Sequence, residues 1–173
     1  MLNKMLFTGI VVAMVAVQTP AAAQSVPTTR DLERINWMEF KEVVPSKVPT
    51  VLLPLGSLEA HGVTANGTDI LSPVAMARDI AARVNAMVAP EVPYGITASL
   101  AAYPGGLTIP EDAYKGYVRA VLAGLARNKF RNIILLNGHG GNTAALNAVA
   151  AEVAAETGAR TLVVNWWTYC SDI

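Results

Sequence analysis

The sequence predicts an α/β fold: a mostly parallel sheet with helices on both faces, three layers in all. Three observations lead there. Short apolar runs at residues 50–55, 132–136 and 161–166 alternate with longer stretches of helical spacing, the pattern of a parallel sheet joined by helical crossovers. The runs are apolar at nearly every position, as strands covered on both faces are. The chain's two histidines, His61 and His139, each sit in a glycine-rich stretch after such a run and before a helical one. Open α/β sheets hold their sites at that point, outside the carboxyl ends of the strands.

The first 23 residues stand apart. Lys4 is followed by the apolar stretch Met5–Val17 and then by Pro20-Ala21-Ala22-Ala23. A charged start, an apolar middle and a small-residue end are the marks of a secretory signal peptide. The apolar stretch is shorter than the roughly 20 residues that a membrane span needs. The expectation is therefore cleavage and export, periplasmic or secreted, with no stable membrane anchor afterwards. Residues 24–34 read as a leader, loose from Ser25 to about Arg30, and residues 35–173 as one α/β domain.

Within the domain, Leu32 to Val44 has Trp37, Phe40, Val43 and Val44 at helical spacing and predicts a short helix with one face inward. Thr50–Leu55 is a buried strand. Leu71 to Val88 places Val74, Ala77, Ile80, Ala81 and Val84 on one helical face, with Ser72 as N-cap and Pro73 in the first helical position. Met87–Ala89 forms a short strand before Pro90. Tyr94 to Pro110, rich in Gly, Pro, Ser and Thr, is a loop. Glu111 to Asn128 is amphipathic through Tyr114, Tyr117, Val118, Val121, Leu122 and Leu125. Asn132–Leu136 is a strand. Thr143–Thr157 is a helix with Asn142 as N-cap and Gly158 as its stop. Thr161–Trp166 is a further strand.

Composition narrows the function. Net charge is zero and 15% of residues are charged, so no basic stripe suits nucleic acid. An apolar chain with so little charge favours subunit packing, hence a homo-oligomer. The single cysteine, Cys170, allows no internal disulfide.

The chemistry-bearing residues fall in two motifs. Gly56-Ser57-Leu58-Glu59-Ala60-His61-Gly62 follows the first strand, with Asp69 soon after; Asn137-Gly138-His139-Gly140-Gly141-Asn142 follows the central strand. Two carboxylates and two imidazoles at the ends of neighbouring strands suit a divalent ion with mixed nitrogen and oxygen ligands, Zn²⁺ or Mn²⁺. Each residue also has a plainer reading. The histidines serve as satisfied turn residues, Glu59 as a surface carboxylate, and Asp69 as a cap for the helix near Leu71. Capping and ligation are compatible, since a carboxylate has two oxygens. Trp166 and Trp167 close a strand and point to opposite sides, with packing the first reading for both. A dinucleotide site at Gly138-His139-Gly140 fails on detail. Thr143 stands where a third glycine belongs, and Asn165 where an acid is wanted.

Taken together and in this order, Pro54–Gly62 and Asn137–Asn142 resemble the two signature segments of the creatininase (creatinine amidohydrolase) family. Ile35-Asn36-Trp37, Tyr94-Gly95 and Tyr103-Pro104-Gly105 match as well, so the resemblance runs from Ile35 to Trp167. It implies a three-layer α/β fold, often assembled as hexamers, and a one- or two-metal site that hydrolyses C–N bonds of cyclic or linear amides. By the same resemblance Glu59, His61, Asp69 and His139 are metal ligands, and Trp167 flanks a small-molecule amide substrate. In two-metal members the aspartate matching Asp69 bridges the ions.

The chain departs from the family's pattern in four places. Thr64 replaces a second histidine of the first motif. The Glu59-to-Asp69 spacing is one residue short. Gly141 stands where creatininase itself has a glutamate. A downstream segment rich in His and Glu has no counterpart before Ile173, so the sheet and site are expected to be incomplete at the C-terminus. The expected function is a metal-dependent amidohydrolase that uses a metal-activated water, with Glu59 also catalytic. Four ligands suit one ion rather than two. The alternative is a truncated, non-catalytic family member that binds metal weakly or only assembles.

Overall fold

In a computed structural model, residues 29–170 are described. The export segment read at residues 1–23 lies outside them. Among the described residues four strands form one parallel sheet: β1 (Thr50–Leu55), β2 (Ala86–Val88), β3 (Asn132–Asn137) and β4 (Arg160–Asn165), in the order β2-β1-β3-β4. The α/β prediction therefore holds. Among the described residues four α-helices accompany the sheet: α1 (Trp37–Val43), α2 (Thr68–Ile80), α3 (Glu111–Arg127) and α4 (Thr143–Thr157). No helix among the described residues is long and apolar enough to cross a membrane.

Strand alternation sorts the side chains into two cores. Val51, Leu53, Leu55, Ile133 and Leu135 face one way and pack with Tyr114, Val118 and Leu122 of α3 and with Leu146, Val149 and Val153 of α4. Leu52, Val88 and Leu136 face the other way, against Ala77 and Ala81. The alanines let α2 lie close on the sheet. Each fully buried Leu or Val contributes roughly 1.5–3 kcal/mol, so the α3–α4 side carries most of the stabilisation. On the α2 side Leu162 of β4 stays exposed, and Ile134 and Val164 are only partly covered.

Register sets the stage for chemistry. Leu55 pairs with Asn137, and Asn137 pairs with Asn165. Three strands thus end level, and their following segments emerge side by side.

Several local expectations change. The helix expected across residues 32–44 is a 3-10 turn at Leu32–Arg34 followed by α1. Asn36 caps α1, accepting from the N–H groups of Met38 and Glu39, while the Glu39 carboxylate accepts from the Asn36 N–H. The leader is tied down from Arg30 onward: the Val88 N–H donates to the Arg30 carbonyl (2.8 Å). Asp31 bridges beside Val88 and pairs with Arg78 (3.3 Å).

Helix α2 begins at Thr68, not near Leu71, and Pro73 lies inside it. Pro73 has no N–H to give to the Asp69 carbonyl one turn back. Tertiary packing uses the freed group: a Cβ at Gly56 or at Gly138 would lie closer than 3.0 Å to the Asp69 carbonyl oxygen. The ends of β1 and β3 press on that oxygen, and only glycine permits the approach.

Candidate metal centre

The segments leaving the level strand ends bring the motif residues together. Glu59 lies after β1, where its N–H donates to the Asn66 carbonyl (3.1 Å) and closes the loop. Gly62 turns this loop with φ of 62°. Asp69 sits in the first turn of α2, where the helix dipole favours a carboxylate. His139 leads from β3 into a 3-10 turn, Gly140–Asn142, that opens α4.

Asp69 is the centre of the cluster. His61 Nε2 is 3.0 Å from Asp69 Oδ1, and His139 Nδ1 is 2.8 Å from Asp69 Oδ2. Glu59 Oε1 lies 3.3 Å from His139 Nδ1 and 3.8 Å from His61 Nε2. Ligand atoms of Glu59, Asp69 and His139 all fall within 4.8 Å of one another. His61 joins them through its contacts with both carboxylates. The reading of Asp69 as a helix cap does not hold, because the N-cap of α2 is Gly67 and no side chain caps the helix.

Each imidazole has its outer nitrogen spoken for. His61 Nδ1 is 3.2 Å from the Glu59 carbonyl, and His139 Nε2 is 2.9 Å from the Ile96 carbonyl. A carbonyl only accepts, so these nitrogens carry the protons. The inner nitrogens then present lone pairs to carboxylate oxygens at about hydrogen-bond distance. Two acceptors so close need a positive species between them, a proton or a metal cation. Backbone carbonyls that fix the tautomer of an imidazole are the usual outer partners of metal-ligating histidines. The donor set therefore fits a divalent ion with nitrogen and oxygen ligands.

Without metal, His139 holds a proton more readily there than a free imidazole does. Burial lowers its pKa. The hydrogen bonds to Asp69 and Ile96 and the charges of Glu59 and Asp69 raise it further than burial lowers it, so it lies above the ordinary imidazole value.

A cavity of about 460 Å³ opens over Glu59, His61, Asp69 and His139, and Trp166 and Trp167 line it. The tryptophans differ from expectation. β4 stops at Asn165, and residues 166–169 form a 3-10 turn, so the two rings do not alternate across a strand. They meet edge to face, with centroids 6.2 Å apart, and both line the same cavity. A second hollow, of about 390 Å³ at Leu32, Trp37, Phe40 and Phe130, is lined mainly by apolar side chains and by no carboxylate or imidazole.

Asn142 also corrects an expectation. It precedes α4 but makes no side-chain cap. Fully buried, it accepts from the Ile96 N–H (2.9 Å) and donates to the Gly56 carbonyl (3.0 Å). Thr97, missed by sequence reasoning, donates its hydroxyl to Glu59 Oε2 in a buried contact. The nearest sequence signal was Tyr94-Gly95 just before it. Gly95 is required there, since a Cβ would lie 2.7 Å from the Gly56 carbonyl oxygen.

Comparison with known proteins points to one family. The Creatininase family profile, described as creatinine amidohydrolase, matches residues 33–173. Creatinine amidohydrolase of Pseudomonas putida is 30% identical over 111 residues, 61% of this chain and 43% of that protein. Mycofactocin precursor peptide peptidase of Mycobacterium tuberculosis is 30% identical over 127 residues, 65% of this chain and 49% of that one. The chain thus spans about half or less of the length of these curated relatives. Among solved structures, a creatinine amidohydrolase (creatininase) superposes with a TM-score of 0.79 at 24% identity, over 84% of this chain and 61% of that one. This shows the shared fold. Related creatininase structures are described as of Zn-Zn type and as the Mn form.

Proposed function

The chain belongs to the creatininase family, and from that premise we propose that it is a metal-dependent amidohydrolase acting on the C–N bond of a small cyclic or linear amide. The observation that carries the proposal is the convergence of Glu59, Asp69 and His139 within 4.8 Å, with His61 beside them. Zn²⁺ or Mn²⁺ suits this donor set.

In the proposal Glu59 Oε1, His61 Nε2, Asp69 and His139 Nδ1 would hold the ion. A divalent ion in such a site supplies Lewis acidity toward a carbonyl oxygen and lowers the pKa of a water from about 15.7 to near 7. Glu59 Oε1 also takes the proton of the attacking water and passes it to the leaving nitrogen as the C–N bond breaks. Its other oxygen already accepts from Thr97, so Oε1, with a second lone pair beside the one it would give to the ion, would carry the proton. Trp166 and Trp167 wall the cavity and exclude water from one side of the amide. Trp167 is assigned to the substrate in this proposal.

One ion is proposed rather than two. A side chain at position 141 would meet His139 Nε2 at 2.5 Å and crowd the Ile96 carbonyl, so Gly141 cannot be exchanged for a fifth ligand without displacing His139. Three or four protein ligands and an open position serve a single catalytic ion. Export through residues 1–23 and assembly into oligomers belong to the same proposal. A secreted product that starts at Gln24, and a sedimentation experiment, test those two points.

The main test is hydrolysis of a panel of small cyclic amides, creatinine and hydantoins among them, by the purified chain with added Mn²⁺ or Zn²⁺. We expect turnover that EDTA abolishes and that Asp69→Asn lacks. A chain that binds one equivalent of metal and opens no amide across the panel would favour the non-catalytic alternative.

A further inference from the structure

Two of the four donors are aimed by one short segment that neither motif contains. Residues 95–97 cross from the end of β2 toward the loop at Thr108 and pass between the two motifs. The Ile96 carbonyl accepts from His139 Nε2 (2.9 Å), and the Thr97 hydroxyl donates to Glu59 Oε2. The segment is itself held on three sides. Asn142 Oδ1 accepts from the Ile96 N–H (2.9 Å), Thr108 Oγ1 accepts from the Thr97 N–H (3.1 Å), and the Ile109 N–H donates to the Gly95 carbonyl (2.8 Å). Asn142 in turn donates to the Gly56 carbonyl at the end of β1. Thr97 is 1% exposed and Asn142 0%, so water does not compete for these bonds.

We propose that Thr97 is a positioning residue for the metal centre, and that it acts with the Ile96 carbonyl, anchored by Asn142, as one strap that selects the ligand atoms of Glu59 and His139. The inference rests on the metal reading above and deepens it. Thr97 occupies one carboxylate oxygen of Glu59, which leaves Oε1 toward the imidazoles. The Ile96 carbonyl holds the proton of His139 on Nε2, which leaves the Nδ1 lone pair toward Asp69. A flip of either group would turn a donor or a bonded oxygen toward the ion instead. Because both settings come from adjacent residues on one anchored segment, they are made together. Gly141 enforces the fit from the other side, since any side chain there overlaps the Ile96 carbonyl.

The test uses the full chain and Co²⁺ as the probe, read by its visible absorption, with Zn²⁺ competition for affinity. Thr97→Val removes the hydroxyl and keeps the shape. It is expected to weaken Co²⁺ binding by about 10- to 100-fold, the usual cost of losing an outer partner, and to change the intensity of the Co²⁺ bands. Thr97→Ser is expected to restore both. In a Glu59→Gln background the Thr97→Val change should have little further effect on affinity, because the carboxylate it aims is gone. Equal affinity and spectra for wild type and Thr97→Val, or a full additional loss in the Glu59→Gln background, would overturn the positioning role while leaving the metal site intact. A wild-type chain that binds no Co²⁺ would sink the metal reading and this inference with it. A measurement without variants guards against misfolding. Nitrogen-15 imidazole spectra of the wild-type chain with Zn²⁺ should show His139 protonated on Nε2. Protonation on Nδ1 would overturn the role assigned to the Ile96 carbonyl.

Discussion

Asp69 touches both histidines, at 3.0 Å and 2.8 Å, and so governs the charge of the whole cluster. Asp69→Asn keeps its shape and removes its charge. The amide nitrogen or oxygen it then presents pairs poorly with one of the two imidazoles. We expect metal affinity to fall by at least about 100-fold, or roughly 2.7 kcal/mol, as measured by isothermal titration with Mn²⁺. His139 supplies a second residue-scale prediction. Its folded pKa is raised above the ordinary imidazole value, burial opposing and the Asp69 and Ile96 hydrogen bonds prevailing. The native metal-free chain therefore holds a proton that the unfolded chain has released. Its stabilising effect is complete below about pH 6.5 and is lost as pH rises through the folded value. With EDTA present, the melting temperature should fall across that window, and His139→Gln should flatten the fall. Metal affinity should run the opposite way and rise with pH, because the ion displaces that proton.

At the scale of elements, the informative case is α2. Its sequence places a serine and Pro73 where a helix start is expected, yet the helix begins five residues before the proline, at Thr68. The Asp69 carbonyl, deprived of a partner by Pro73, becomes the surface on which the ends of β1 and β3 rest through Gly56 and Gly138. The contact fixes the first turn of α2 against the sheet, and with it the Asp69 side chain. Gly138→Ala should cost about 1–3 kcal/mol in urea unfolding through overpacking and weaken metal binding as well. Gly116, on the exposed side of α3 with nothing within 4 Å of a Cβ, is the contrast. Gly116→Ala should stabilise by about 0.5–1 kcal/mol through helix propensity and leave metal binding unchanged. The strands and helices β1, β3, α3 and α4 were legible almost to the residue. Their apolar spacing is set by burial against their immediate neighbours, which a one-dimensional pattern records.

For the whole molecule, the ion would join the loop after β1, the start of α2 and the turn after β3, three segments far apart in sequence. An ion that binds only the folded chain stabilises it by about 2.7 kcal/mol at 100 times its Kd. For a domain of this size that is a rise in melting temperature of about 5–10 °C. Thermal melts with Zn²⁺ or Mn²⁺ should show it, EDTA should reverse it, and Asp69→Asn should not show it. Absence of any shift in the wild-type chain at saturating metal would speak against a site that spans these segments.

Sequence alone determined the fold class and marked the two motifs and the four residues Glu59, His61, Asp69 and His139 that the structure brings together. It could do so because hydrophobic period and the rarity of histidine are local, countable properties. What it could not determine was orientation. Asn142 looks like a helix cap in one dimension. In three it spans 46 residues to Ile96 and 86 to Gly56. Thr97 is an ordinary loop threonine until the strap lays it over Glu59. The tryptophans read as strand residues until β4 ends one position early. At Asn142 and Thr97 a hydrogen bond between distant segments won over the local preference. Only the tertiary structure decides that contest, because a buried polar group must find its partner wherever the chain brings one.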